Sequence, residues 1–195
     1  KLGASEKPKK VIRSFMFLRE KFGPNGECQT LYVRLVAGGH MQDKLDVDLV
    51  SSPTVALSTV FVLFAYAAKH GFVITTIDIT GAYLNASMIS SDVWMSIDRE
   101  LVDALLLVDP SYEKFRRNDG SVVVRLKKAL YGCVESAKLW YDHLSKVLIK
   151  FGLIPSKYDE CFFSMSEDGA TDEESRKDLF VAVYVDDLLI CGRRK

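Results

Sequence analysis

From Leu179 to Gly192 the chain reads Leu-Phe-Val-Ala-Val-Tyr-Val-Asp-Asp-Leu-Leu-Ile-Cys-Gly, an apolar strand pattern split by two adjacent carboxylates. No other feature restricts the fold as much. An ionised carboxylate taken out of water without a partner costs several kcal/mol in practice, and two side by side also repel. Asp186 and Asp187 must therefore be compensated. They can form the hydrated tip of a hairpin, where Asp is an ordinary turn residue. Alternatively they can face a divalent cation, which prefers carboxylate oxygens. The pair alone does not choose between these readings.

A third acid bears on the choice. Phe72–Ile79 is β-branched and apolar, the pattern of a buried strand, and Asp78 lies near its end. Alone, Asp78 reads equally well as a cap for the turn before Gly81. Brought onto one sheet with Asp186 and Asp187, it would complete a set of three carboxylates. That set suits two Mg²⁺ ions about 3.5–4 Å apart, the arrangement used for in-line phosphoryl transfer.

The remaining sequence predicts an α+β chain with no regular βαβ rhythm. Val11–Leu18 and Thr30–Ala37 flank the turn cluster Phe22-Gly23-Pro24-Asn25-Gly26 and read as a hairpin. Ser52-Pro53-Thr54 reads as the start of a helix running through Val55–Lys69, apolar nearly all round and so expected to be buried, with His70-Gly71 as its stop. Val93–Ile97 reads as a short strand, Arg99–Val108 as a helix stopped by Asp109-Pro110, and Ser121–Leu126 as a strand after Asn118-Asp119-Gly120. The clearest helix runs from about Glu135 to Phe151, with Ala137, Trp140, Tyr141, Leu144, Leu148 and Phe151 at three- and four-residue spacing. Residues 1–10 read as a mobile basic end and 166–178 as an exposed polar loop. The rest, 11–195, reads as one domain.

Composition mostly excludes. Hydrophobic residues make up 48% and charged residues 27%, a globular mixture rather than a disordered one. The 26 basic and 26 acidic residues balance, so net charge gives no support to a nucleic-acid partner. The four cysteines, Cys28, Cys133, Cys161 and Cys191, lack zinc spacing and read as reduced, mostly packed thiols. No apolar run is long enough for a membrane span, so no membrane partner is expected. The lack of an initiator Met, and an end soon after a strand, suggest a fragment.

Tyr184-Val185-Asp186-Asp187 resembles the Tyr-x-Asp-Asp signature of retroelement reverse transcriptases. Ile77-Asp78-Ile79-Thr80-Gly81-Ala82-Tyr83-Leu84-Asn85 resembles the copia-type block D-V-K-T-A-F-L-N. Leu126-Lys127-Lys128-Ala129-Leu130-Tyr131-Gly132 is similar to L-K-K-S-L-Y-G, and Arg34-Leu35-Val36-Ala37 to part of K-A-R-L-V-A-R-G. Trp140-Tyr141 follows at the family's distance. The blocks are collinear from about Tyr32 to Gly192.

This resemblance to copia-type retrotransposon reverse transcriptases implies a right-hand polymerase with fingers and palm, an antiparallel palm sheet with packed helices, cut before the thumb. It implies RNA-directed DNA polymerase activity with two Mg²⁺ ions (Mn²⁺ as the substitute), an RNA or DNA template with primer, and dNTP as substrate. Asp78, Asp186 and Asp187 match the catalytic metal-binding acids. Tyr83 matches the aromatic residue under the incoming sugar, although as a residue by itself it reads first as a core aromatic. Tyr131 and Gly132 match a block against template base and nucleotide, Arg34 a fingers residue for the triphosphate, and Tyr184 the aromatic of the signature. RNase H and integrase are implied neighbours in the polyprotein. An active element implies an intracellular site, in cytoplasmic virus-like particles or the nucleus. The chain departs from the pattern at Tyr32-Val33, at Gly38, and at Cys133-Val134-Glu135-Ser136-Ala137-Lys138 where the family reads L-K-Q-A-P-R. These changes remove positive charge and local stiffness. They motivate an alternative, a catalytically decayed domain that only binds nucleic acid. An unrelated Asp-dependent phosphotransferase of the haloacid-dehalogenase kind would need Asp where Thr80 stands.

Overall fold

The structure, a computed structural model, describes residues 10–42, 50–88, 92–165 and 179–193. The N-terminal end 1–9 and the polar insert 166–178 lie outside the described residues. In chain order the strands are β1 (Val11–Phe22), β2 (Cys28–Ala37), β3 (Val73–Asp78), β4 (Trp94–Ile97), β5 (Val122–Arg125), β6 (Ile154–Pro155), β7 (Phe162–Met165), β8 (Leu179–Tyr184) and β9 (Asp187–Gly192). The helices are α1 (Leu57–His70), the single turn α2 (Ala82–Asn85), α3 (Arg99–Val108) and α4 (Ser136–Lys150). Helices and strands are mixed, as expected. They divide into two compact units, Lys1–Val50 with Ala86–Ser136, and Ser51–Asn85 with Ala137–Lys195.

The first unit holds a four-stranded sheet in the order β2-β1-β4-β5. β1 and β2 pair antiparallel from Ser14↔Ala37 out to Phe22↔Cys28, a longer ribbon than the apolar runs predict. The extension carries Arg19, Glu20 and Lys21 and is exposed, so no buried face imprinted a period on it. β1 also pairs in parallel with β4 through Val11↔Trp94, a non-local pairing that a hairpin reading does not contain. α3 spans the expected residues because Asp98 caps it, its carboxylate accepting from the Leu101 amide at 3.1 Å.

The second unit holds an all-antiparallel sheet, β3-β9-β8-β7-β6. α1 lays Leu63 and Ala67 on Ala182 and Cys191, with Phe72, Ile74, Phe162, Phe180 and Leu189 around them. The sequence reading needs two corrections here. α1 is not buried all round: Leu57, Phe61 and Val62 are exposed, and only one stripe meets the sheet. It also starts at Leu57 rather than beside Pro53, because its cap comes from far along the chain. Asp159 accepts from the Ala56 amide at 3.0 Å and from the Thr59 hydroxyl at 2.6 Å. Gly71 ends α1 at φ 68, as its position predicted.

The second correction concerns β3. It is not a buried strand: among the described residues it lies at the sheet edge, paired only with β9, and most of its residues are exposed. β-branched composition reported the strand correctly but not its burial. α4 follows most of the predicted stripe and buries Trp140, Leu144 and Leu148, but Phe151 lies just past its end and is exposed. Cys133, Cys161 and Cys191 are buried thiols, and Cys28 is exposed. Among the described residues no helix is long and apolar enough to cross a membrane.

Candidate active site

The acids of the second unit meet through backbone register. β8 and β9 form a hairpin closed by the Tyr184↔Asp187 pair, leaving Val185 and Asp186 as a two-residue loop. Val185 has φ 57 and Asp186 does not share that sign, which is the pattern of a type II′ turn. Such turns normally place Gly at the first loop position. A β-branched residue there is strained by roughly 1–3 kcal/mol.

β3 lies against the other side of β9, and Asp78 is registered opposite Asp187. Directly opposed residues of an antiparallel pair put their side chains on the same face. The Ile79 amide then donates to the Asp186 carbonyl at 2.9 Å, tying the end of β3 to the loop. Residues more than a hundred positions apart in sequence thus sit on neighbouring rungs. Asp78 and Asp187 are exposed and Asp186 is half-buried.

Tyr83 belongs to the same place. Gly81, at φ 66, turns the chain out of β3 into α2, whose Ala82 is buried. The half-buried phenol that follows is held above the usual tyrosine range, first by burial and then by the negative charge of Asp186. Tyr184 is exposed at the end of β8.

The other three predicted residues lie in the first unit and form their own cluster. The Arg34 guanidinium stacks 4.7 Å from the centre of the Tyr131 ring. The Ala37 amide donates to the Tyr131 carbonyl at 2.7 Å. Gly132 stands at φ 93, and a Cβ there would lie 2.1 Å from the Ala37 carbonyl oxygen, so no other residue fits. Gly39 is equally confined, its Cβ position falling 1.9 Å from the Gly132 oxygen.

The departures after Gly132 are accommodated locally. The Gln42 amide donates to Glu135 at 2.8 Å and its carbonyl accepts from the Val134 amide at 2.8 Å. The Ser136 hydroxyl donates to the Leu130 carbonyl at 2.7 Å and accepts from its amide at 3.0 Å. Loss of the family's Pro therefore leaves a cross-linked segment rather than a slack one.

Residues 15–195 match the family model described as reverse transcriptase (RNA-dependent DNA polymerase). This chain belongs to the reverse transcriptase family. A retrovirus-related Pol polyprotein from transposon RE2 of Arabidopsis thaliana is 27% identical over 89% of this chain and 10% of its own length. The corresponding polyprotein from transposon RE1 of the same plant is 28% identical over the same shares. The transposon Ty1-DR5 Gag-Pol polyprotein of Saccharomyces cerevisiae is 28% identical over 95% of this chain and 9% of its own length. The chain thus spans about a tenth of the curated relatives it matches. The copia-type resemblance in the sequence is shown by these relatives.

Reverse transcriptases use divalent metal ions. Among the described residues, no three or more His, Cys, Asp and Glu side chains are gathered closely enough to hold a metal by themselves. This is compatible with Mg²⁺, which keeps several waters and is usually held by one or two carboxylates together with substrate phosphates. The donor chemistry fits as well. Asp78 and Asp187 set like charges directly opposite each other, a destabilising pairing that a cation reverses.

Two contributors were not legible in the sequence. Gln42 carries no motif, and its bonds to Val134 and Glu135 span more than ninety residues. Trp140 belongs to a family block and to a helical stripe, and neither pattern marks it as a hydrogen-bond donor. Its indole donates to the Val185 carbonyl at 2.7 Å.

Proposed function

We propose that this chain carries the catalytic acids of an RNA-directed DNA polymerase, which joins a dNTP to a primer 3′-hydroxyl on a nucleic-acid template. The second unit is read as the palm, with its antiparallel sheet and packed helices, and the first as the fingers; together, as 11–195, they make up the reverse transcriptase domain. The observation that carries the reading is the register of Asp78 opposite Asp187, with Asp186 tied to Ile79 at the same sheet end.

When bound, two Mg²⁺ ions would lower the pKa of the attacking hydroxyl and stabilise charge on the leaving oxygen. Asp78 and Asp186 are the residues that would hold them, with Asp187 supporting from the neighbouring rung. Tyr83 lies beside Asp186 with its phenol kept protonated, so it presents an uncharged ring to the incoming sugar and would clash with a 2′-hydroxyl there. Arg34, held in place against Tyr131, offers a planar fork suited to phosphate. Gly132 lets backbone approach a base or nucleotide closely. RNase H and integrase domains of the same polyprotein are the expected partners.

The test is Mg²⁺-dependent extension of a DNA primer on an RNA template by the full-length protein. Asp186→Asn is expected to lower extension by at least about a hundredfold, as loss of charge stabilisation at a reacting centre does. Extension by the variant at the parental rate would refute the assignment. Template binding without any incorporation by the parent would favour the non-catalytic alternative.

A further inference from the structure

The proposed reaction needs the Asp186 carboxylate in a fixed place, yet Asp186 sits in a two-residue loop whose other member is strained. Both backbone carbonyls of that loop are held from outside the hairpin. The Ile79 amide holds the Asp186 carbonyl at 2.9 Å, and the Trp140 indole holds the Val185 carbonyl at 2.7 Å. Each carbonyl belongs to a rigid peptide plane. The Val185 carbonyl lies in the plane that enters Asp186, and the Asp186 carbonyl in the plane that leaves it. Both planes flanking the Asp186 Cα are thus anchored, one by β3 and one by α4. With both fixed, the direction of the Cα–Cβ bond is fixed too.

Trp140 is well placed for this task. It is 3% exposed, so water does not compete strongly for its N–H. Its ring packs near His143, with centroids 6.0 Å apart. It bonds to the one described non-glycine residue with positive φ. An indole donates and does not accept, so the bond specifies one orientation of the Val185 peptide. Rotating φ of Val185 out of the positive region, which would release its strain, carries that carbonyl away from the indole and breaks the bond.

We propose that Trp140 is a positioning residue for Asp186, acting through the strained Val185 peptide. The inference rests on the reading of Asp186 as a metal-holding acid. Its structural half, the clamp, can be tested without that reading.

The experiment compares the full-length protein with Trp140→Phe, Val185→Gly and the double variant. Phe keeps a buried aromatic ring and removes the N–H. Hydrogen exchange read by mass spectrometry follows the Ile79 amide, the 183–187 hairpin and, as reference, the core of α4. Mn²⁺ binding read by electron paramagnetic resonance follows only the component that Asp186→Asn abolishes. Trp140→Phe is expected to speed exchange at Ile79 and the hairpin about three- to tenfold, the scale of one net hydrogen bond, with α4 unchanged. The Asp186-dependent Mn²⁺ affinity should weaken by a similar factor. In the Val185→Gly background, where positive φ is unstrained, both effects should shrink to less than about twofold.

Equal acceleration across α4 and the hairpin would show that Trp140 only stabilises the fold, and would overturn the proposal. So would an unchanged Ile79 amide, or an effect of the same size in the Val185→Gly background. Parental protein with no Asp186-dependent Mn²⁺ component would refute the metal-site reading and the proposal's claim on it. Local exchange at Ile79 would still decide whether the clamp exists.

Discussion

The Tyr131–Gly132 loop and the Val185–Asp186 loop each place a residue at positive φ among predicted site residues, and they solve the same problem differently. The Tyr131–Gly132 loop uses glycine, for which φ 93 carries no steric penalty, and locks it by shape: the Ala37 carbonyl occupies the space a Cβ would need. The Val185–Asp186 loop uses a β-branched residue at φ 57 and locks it by hydrogen bonds from Trp140 and Ile79. Steric fit tolerates no side chain, and the Ala37 amide's bond to the Tyr131 carbonyl only adds to it. A strained loop tolerates a side chain but depends on groups elsewhere. The acid turn is therefore the more breakable of the two, and the one whose geometry other elements can set.

The sharpest way to break this comparison is to add one methyl group to the steric lock. Gly132→Ala is expected to destabilise the first unit by more than about 3 kcal/mol, since strain and a backbone overlap at 2.1 Å act together. Urea unfolding measures it; a change within about 0.5 kcal/mol would show that the loop can open at little cost. A smaller effect comes from damaging the acid-bearing unit away from its turn. Asp159→Ala removes the cap on α1 and should cost about 1–2 kcal/mol while leaving Asp186-dependent Mn²⁺ binding unchanged. If metal binding fell with stability, the turn would not be held locally.

The opposite sign is expected at the hydrogen-bonded lock. Val185→Gly relieves the positive φ and should raise stability by about 1 kcal/mol, after the entropy cost of glycine is set against the strain. A loss in thermal unfolding would mean that the Val side chain contributes more by packing than its backbone costs.

The smallest effect is a titration. Burial, and then the nearby Glu135 charge, push the Cys133 thiol up to about 11 from its ordinary 9.0. The folded chain holds that proton when the unfolded chain has lost it. This contribution to stability is intact below about pH 9 and is lost as pH rises towards about 11. Cys161, pushed up to about 12, acts in the same direction. Iodoacetamide at pH 8 should therefore alkylate exposed Cys28 well before Cys133 or Cys161, and early labelling of Cys133 by peptide mass spectrometry would contradict its burial.

Much of the acid-bearing unit was legible because its signals are local. The Leu179–Gly192 run, its interrupting acids and the stripe of α4 each specify a structure within a few residues. What escaped was set by distant partners. The start of α1 waits on Asp159, about a hundred residues away, and sequence pattern has no term for a cap that remote. β3 looked buried because β-branched residues suit edge and centre alike, and only the strand order shows which one it is. The departures after Gly132 read as lost stiffness because Gln42 and Ser136 carry no visible sign that they will bond across that loop. The Asp pair posed a choice between hydrated turn and cation site, and the fold divides the pair: Asp186 is in the hairpin loop, while Asp187 is on the first rung of β9, opposite Asp78.

The most direct test of the account is a crystal structure of the full-length protein with Mn²⁺, primer-template and a non-hydrolysable dNTP, read by anomalous scattering. The account predicts a metal peak about 2.1 Å from carboxylate oxygens of both Asp78 and Asp186, with the nucleotide's phosphates completing its shell. Metal bound elsewhere while those two carboxylates point apart would contradict it.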